Sequence, residues 1–233
     1  MSTFRAPLYA ALACVALAAG ACGAARSGTD TSSAPSARPT DDSKAGIEAL
    51  YRARMDSARM RYTDADVRFM IGMIGHHAQA LVMCRLAPEN DAGPRVATLC
   101  SRILNSQGDE IVLMQRWLRQ RGEFVPQVTI DGIHLEVTGP EYVMHMPGML
   151  SDEQLRELAA ARGPDFDRLF LEGMIHHHQG AVGMVDKLFA QDGAAQDEAA
   201  FKLANDIQVD QKTEIARMKR MLSELTSANR GNR

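Results

Sequence analysis

The feature that most restricts what this chain can fold into is an internal duplication. Residues 66–84 read DVRFMIGMIGHHAQALVMC, and residues 167–185 read DRLFLEGMIHHHQGAVGMV. A shift of 101 positions pairs Asp66 with Asp167, Phe69 with Phe170, and Met73-Ile74 with Met174-Ile175. It also pairs His76-His77 with His177-His178, Ala80 with Ala181, and Met83 with Met184. A second block follows each copy, at 103–118 and 207–222. There a shift of 104 pairs Ile103, Gln107, Glu110, Ile111, Met114, Arg116 and Leu118 with Ile207, Gln211, Glu214, Ile215, Met218, Arg220 and Leu222. The paired positions step by three and four residues, which marks one face of an α-helix. Pro88 to Pro94, with Asn90, Asp91 and Gly93 between them, ends the first helix and turns the chain. Helices joined by so short a loop pack antiparallel. Each copy is therefore an αα-hairpin, and two hairpins, over about 63–121 and 165–226, predict an all-α four-helix bundle.

Local signals set the boundaries. Thr63 with Asp66 three residues on resembles a capping start, although a capping box normally carries Glu or Gln there. The crossover, 122–164, is rich in Gly and Pro and contains the short alternations VTI and HLEV, which suggest a small hairpin. Ser151 to Gln154 cap a short helix to about Ala161, and Gly163-Pro164 stop it. Residues 44–61 also read as helix.

The first 22 residues read as an export signal: Arg5, an apolar run from Ala6 to Gly20, then Ala21-Cys22. The run is too short to span a membrane and ends as a cleavage site does. Ala19-Gly20-Ala21 suits ordinary signal peptidase and secretion. The Cys directly after favours a lipoprotein signal, with Cys22 lipidated and the protein anchored at the cell surface or in the periplasm. Residues 23–43 are Ser, Thr, Ala, Pro, Gly and Asp without apolar periodicity, as in a flexible tether. That leaves 44–233 as a single helical-bundle domain. With a net charge of −3 and no basic patch, nothing calls for nucleic acid. No Gly-rich phosphate loop or Ser-His-Asp signature is present either.

A bundle stripe facing other helices should be apolar. Here it carries Met73, His77 and, nearer its edge, His76, and the partner helix adds Gln107, Glu110 and Met114. The second copy repeats the set with Met174, His177, His178, Gln211, Glu214 and Met218. Burying unpaired imidazoles or carboxylates costs several kcal/mol, so these groups need each other or an ion. Loop geometry puts His77 level with Gln107 and Glu110. Thioethers are soft ligands that favour Cu(I), and imidazole suits several metals including copper. A di-iron site would need more carboxylates and Glu-x-x-His motifs, and structural zinc a closed Cys/His set. Copper fits best, with silver as its chemical mimic.

A second soft cluster, Met144, His145, Met146 and Met149, lies in the crossover. It reads equally as a way in for the metal, a second site, or an apolar plug on the bundle. His176 has no counterpart, since Gly75 stands in its place, and is expected at the surface. Cys84 and Cys100 fall at matching heights on inward faces, and in an oxidising compartment a disulfide is favoured over a thiolate ligand.

These motifs resemble the CopM-like proteins, a family catalogued as a domain of unknown function. Its hallmark is Met-Ile-x-His-His followed by Ala and Met, then Gln-x-x-Glu-Ile-x-x-Met on the next helix. Met73–His77 with Gln107–Met114 matches it, as does Met174–His178 with Gln211–Met218. A Met-Pro-Gly-Met loop before the second copy is also familiar from exported two-copy members. Ala78, where the family often has Gln, and the extra His176 depart from it. The resemblance implies a ferritin-like bundle, and copper and silver binding outside the cytoplasm that contributes to metal tolerance.

The expectation is then a non-catalytic protein that sequesters or delivers copper. His76, His77, His177 and His178 are its primary ligands. Met73, Met114, Met174 and Met218 supply thioethers, and Glu110 and Glu214 orient the imidazoles or bind directly. The expected partners are the metal ion and, through a lipid anchor alone, the membrane. The rivals are a metal-dependent redox enzyme on a ferritin-like bundle, and a surface protein whose polar core only sets helix register.

Overall fold

In the computed structural model, residues 41–59 and 61–231 are described. The export signal, Cys22 and the tether up to residue 40 lie outside them. The first helix, α1 (Asp41–Arg59), takes in three residues that the sequence places in the tether, and its described side chains are exposed. Among the described residues no helix is long and apolar enough to cross a membrane.

Each copy of the repeat is a helix pair. The first is α2 (Asp64–Arg85) and α3 (Pro94–Gln120). Then come β1 (Val128–Asp131) and β2 (His134–Val137), antiparallel with Val128 opposite Val137, and a 3-10 turn at Glu141–Met144. A short helix, α4 (Asp152–Ala160), precedes the second pair, α5 (Gly163–Phe189) and α6 (Glu198–Gly231). The small hairpin read from VTI and HLEV is present. Gly163-Pro164, read as a stop, instead opens α5: proline is well placed in a first helical turn, where its missing N–H would lack a partner anyway.

The helices start where their caps allow. Ser151 Oγ accepts from the Gln154 amide at 3.3 Å, and Gln154 answers by accepting from the Ser151 amide at 2.9 Å. At α2 an aspartate fills the glutamate role: the Thr63 amide and hydroxyl both donate to Asp66 Oδ2 at 2.8 Å. The shorter side chain does more than cap. Fully buried Asp66 accepts through its other oxygen from the Ala195 amide at 2.7 Å, in the turn between α5 and α6. Its repeat partner, Asp167, does the reverse, accepting from the Gly93 amide at 3.0 Å in the turn between α2 and α3. Each hairpin thus holds the turn of the other. These turns each contain a residue at φ 53°, Asp91 in one and Ala195 in the other. Burial raises the Asp167 carboxyl above the usual range, and the Gly93 amide pulls it partly back.

A third tie joins the end of α3 to the start of α6. Buried Asp197 caps α6 through the Ala200 amide, accepts from Trp117 Nε1 at 2.8 Å, and pairs with Arg121 at 2.5 Å. The Arg121 guanidinium lies 4.0 Å from the centre of the Trp117 ring, so the charge is held by a carboxylate and an aromatic face together.

α2 packs on α3, α5 on α6, and α2 on α5. The core falls into two apolar clusters. One contains Met73, Met114, Met184 and Ile207, and the other Met174, Met218, Met83 and Ile103. These sets are exact counterparts under the duplication, so the clusters are two versions of one packing arrangement.

Candidate metal centre

Helical spacing carries His76, His77, His177 and His178 into the interior, and all four are fully buried with Gln107 and Gln211 beside them in burial. His77, on the stripe toward α3, has Nε2 at 2.8 Å from Glu110 Oε2, the cross-hairpin contact that loop geometry anticipates. The two atoms are close but not aligned as a hydrogen bond. The second hairpin repeats it in better alignment, with His178 Nε2 at 2.6 Å from Glu214 Oε2.

His76 is the residue whose place differs from expectation. It does not lie at the edge of the buried stripe. α2 rests on α5 as well as α3, so its second inward direction points at the other hairpin. There His76 meets its repeat partner, His177, with ring centres 3.8 Å apart and planes at 36°. The crossover closes over this pair: His76 Nε2 is 3.0 Å from the Pro147 carbonyl.

The unpaired atoms are concentrated here. Nδ1 of all four histidines lacks a hydrogen-bond partner, as do Nε2 of His177, both amide atoms of Gln107 and Oε1 of Gln211. Buried polar atoms are satisfied in the great majority of cases, and a group of exceptions marks a place for an ion or water. Burial pushes the His76 imidazole down from its ordinary 6.5 to about 3, with neighbouring His77 adding to the effect. His177 is pushed well down by burial and then by His76. Both rings are therefore neutral near pH 7, the state in which a ring nitrogen can donate its lone pair to a metal.

The thioethers expected beside them, Met73, Met114, Met174 and Met218, are all fully buried. Met83 and Met184, which the duplication pairs but ligand reasoning passed over, stand in the same two clusters. Among the described residues no three His, Cys, Asp or Glu side chains converge as a ready ligand set. The donor types buried here are imidazole and thioether, both of which soft metal ions accept.

The second soft cluster is divided. His145 and Met146 line an open cleft of about 530 Å³ together with Arg68, Tyr142 and Lys187. Met144 and Met146 pack on the apolar core, and Met149 is half-buried. His176 is exposed, as its missing counterpart suggests. Cys84 and Cys100 are free, buried thiols in contact with each other. Burial raises the Cys84 thiol well above its usual range, and the hydrogen bond with Cys100 raises it further.

The family model described as a domain of unknown function (DUF305) matches residues 66–222. Among curated proteins none matches the sequence. A solved DUF305 fragment from Deinococcus radiodurans is 30% identical, with a TM-score of 0.57 over 70% of this chain and 98% of its own. A DUF305 protein from Streptomyces coelicolor thought to be secreted is 25% identical, with a TM-score of 0.58 over 70% of this chain and 94% of its own. CopM has been solved with Cu(I) and with Cu(II). At 29% identity these structures give TM-scores of 0.51 and 0.53 over 68% of this chain and 96% of CopM. A silver-bound form of CopM is also similar, at 28% identity and a TM-score of 0.50.

Proposed function

Because the chain belongs to the DUF305 family, we propose that it is an exported copper-binding protein that sequesters or delivers the metal. The observation that carries this reading is the set of four buried imidazoles whose Nδ1 atoms have no partner. A carboxylate or carbonyl oxygen stands at the far nitrogen of three of them. Metal-ligating histidines are held in that way: the second nitrogen donates to an oxygen, which orients the ring and raises its basicity. On this reading His76, His77, His177 and His178 are the ligands, Glu110 and Glu214 orient them, and Met73, Met114, Met174 and Met218 supply thioethers. His145 and Met146, with Met144 and Met149 nearby, offer the metal its way in. The likeness to copper-bound and silver-bound CopM supports copper as cargo and silver as its mimic. The likeness to a protein thought to be secreted supports export; that Cys22 carries a lipid anchor rests on the signal sequence alone.

A polar core serving only helix register accounts less well for the site. Such a core should satisfy its members, and here most ring nitrogens and the Gln107 amide are left over.

The test is a Cu(I) titration of the metal-free protein against a competing chelator, with the quadruple alanine variant of the four histidines beside it. Tight uptake by the wild type and its loss in the variant are expected. A variant that folds and binds equally tightly overturns the ligand assignment, and a wild type that takes up no copper overturns the function.

A further inference from the structure

The two copies differ most tellingly where the crossover touches them. Residues Val143 to Leu150 form a strap lying across α2 and α5. At one end, buried Gln79 grips it twice: its amide Nε2 donates to the Leu150 carbonyl at 2.9 Å, and its Oε1 accepts from the Leu150 amide at 2.7 Å. The repeat partner of Gln79 is Gly180, and the strap uses that position in the opposite way. A Cβ there would stand 1.9 Å from the Pro147 carbonyl oxygen. Further along α2, a Cβ at Gly75 would stand 2.4 Å from the Val143 carbonyl. Its repeat partner, His176, is exposed. Two mismatches of the duplication, Gly75 with His176 and Gln79 with Gly180, thus have one physical reason. A single strap has to lie over a pair of like helices: it passes Gly75 and is clamped by Gln79 on α2, and it sinks into the notch at Gly180 on α5.

What the strap delivers is the Pro147 carbonyl, 3.0 Å from His76 Nε2. A carbonyl oxygen can only accept, so that nitrogen carries the ring proton. In a neutral imidazole the other nitrogen, Nδ1, then holds the free lone pair, and it is unpartnered. The partner ring, His177, receives nothing from the strap: neither nitrogen has an aligned hydrogen bond, and the backbone it approaches is that of His76. The strap therefore makes two otherwise equivalent imidazoles different.

We propose that Gln79 is a positioning residue which, through the strap, fixes His76 as its Nε2–H tautomer and so presents Nδ1 as the metal-binding atom. The tautomer is a property of the metal-free protein. Its consequence for copper rests on the function proposed above.

The experiment is long-range proton–nitrogen correlation NMR on the metal-free, nitrogen-15-labelled protein at neutral pH, followed by Cu(I) dissociation kinetics. Gln79→Leu removes the clamp and Gly180→Ala closes the notch. Gly108→Ala, on α3 with nothing within 4 Å of its added Cβ, is the control. In the wild type and the control, His76 is expected as a single Nε2–H tautomer. In both strap variants it becomes a mixture, and Cu(I) leaves roughly 10- to 100-fold faster, the range typical of lost partners behind a metal ligand. A wild-type His76 protonated at Nδ1 overturns the proposal, whether or not either variant folds. So does an unchanged tautomer in a folded strap variant. If the wild type shows the Nε2–H form but takes up no copper, the copper reading falls and the tautomer assignment stands.

Discussion

Acid should weaken the metal-free protein chiefly through the buried imidazole pair. His76 titrates at about 3 in the folded chain against an ordinary 6.5, because its ring is desolvated. A histidine whose folded pKa is depressed contributes nothing to pH dependence above 6.5, where it is neutral in both states. As pH falls below 6.5 the unfolded chain takes up a proton that the folded chain refuses. Stability drops until the folded group itself titrates near 3. Each pH unit inside that window costs about 1.4 kcal/mol, so lowering the pH from about 7.5 to about 5 removes roughly 2 kcal/mol through His76 alone. His177 acts in the same direction. Urea unfolding at the two pH values, for the wild type and for His76→Gln, isolates the contribution. The variant may start at any stability, because only the difference between its two values matters. That difference should be smaller than the wild type's by roughly 2 kcal/mol. Parallel losses in the two proteins would refute the reasoning, since His76 would then be protonated as readily folded as unfolded.

Two further outcomes follow from the contacts. Asp66→Ala strands the Ala195 amide and unmakes the α2 cap, while Asp167→Ala strands the Gly93 amide. Each should cost about 1–3 kcal/mol in a urea melt, and a change below about 0.5 would deny the reciprocal tie. Mild oxidation of the metal-free protein should join Cys84 to Cys100, seen as a loss of two hydrogens by mass spectrometry and of both titratable thiols. The closed loop should add up to about 3 kcal/mol of stability. Thiols that stay free in the folded protein under oxidant would place the pair out of bonding geometry.

Most of what depends on one helix and its nearest turn was legible in the sequence, the role of Gly163-Pro164 at the start of α5 being an exception. The steps of three and four residues put Met73, His77 and Met114 inside, and the short turn set His77 level with Glu110, because both are consequences of helical pitch. Sequence periodicity could not place His76, since its surroundings are supplied by α5, a helix about a hundred residues away. It likewise could not show that Asp66 reaches Ala195 as well as capping its own helix. The strap was the least legible part. In the sequence Gln79 and Gly180 carried no role, and Gly75 none beyond standing in the place of His176, because their reason is the path of an irregular segment that has no period to read. Met83 and Met184 were visible as repeat partners but carried no ligand signal, because a buried methionine on a helix is ordinarily packing.

The reciprocal aspartate contacts have an evolutionary corollary. Asp66 closing the turn of the second hairpin, and Asp167 closing that of the first, is the pattern of an isologous interface, in which the same patch serves both partners. A lone hairpin of this kind would be complete only as a homodimer, with the histidine pair on its two-fold axis. Fusing the copies into one chain makes that association intramolecular, so the site no longer dilutes apart when little protein is present. Fusion also requires a linker, and one linker cannot obey a two-fold axis. The single linker therefore reaches His76 and not His177, an inequivalence that exact two-fold symmetry would forbid.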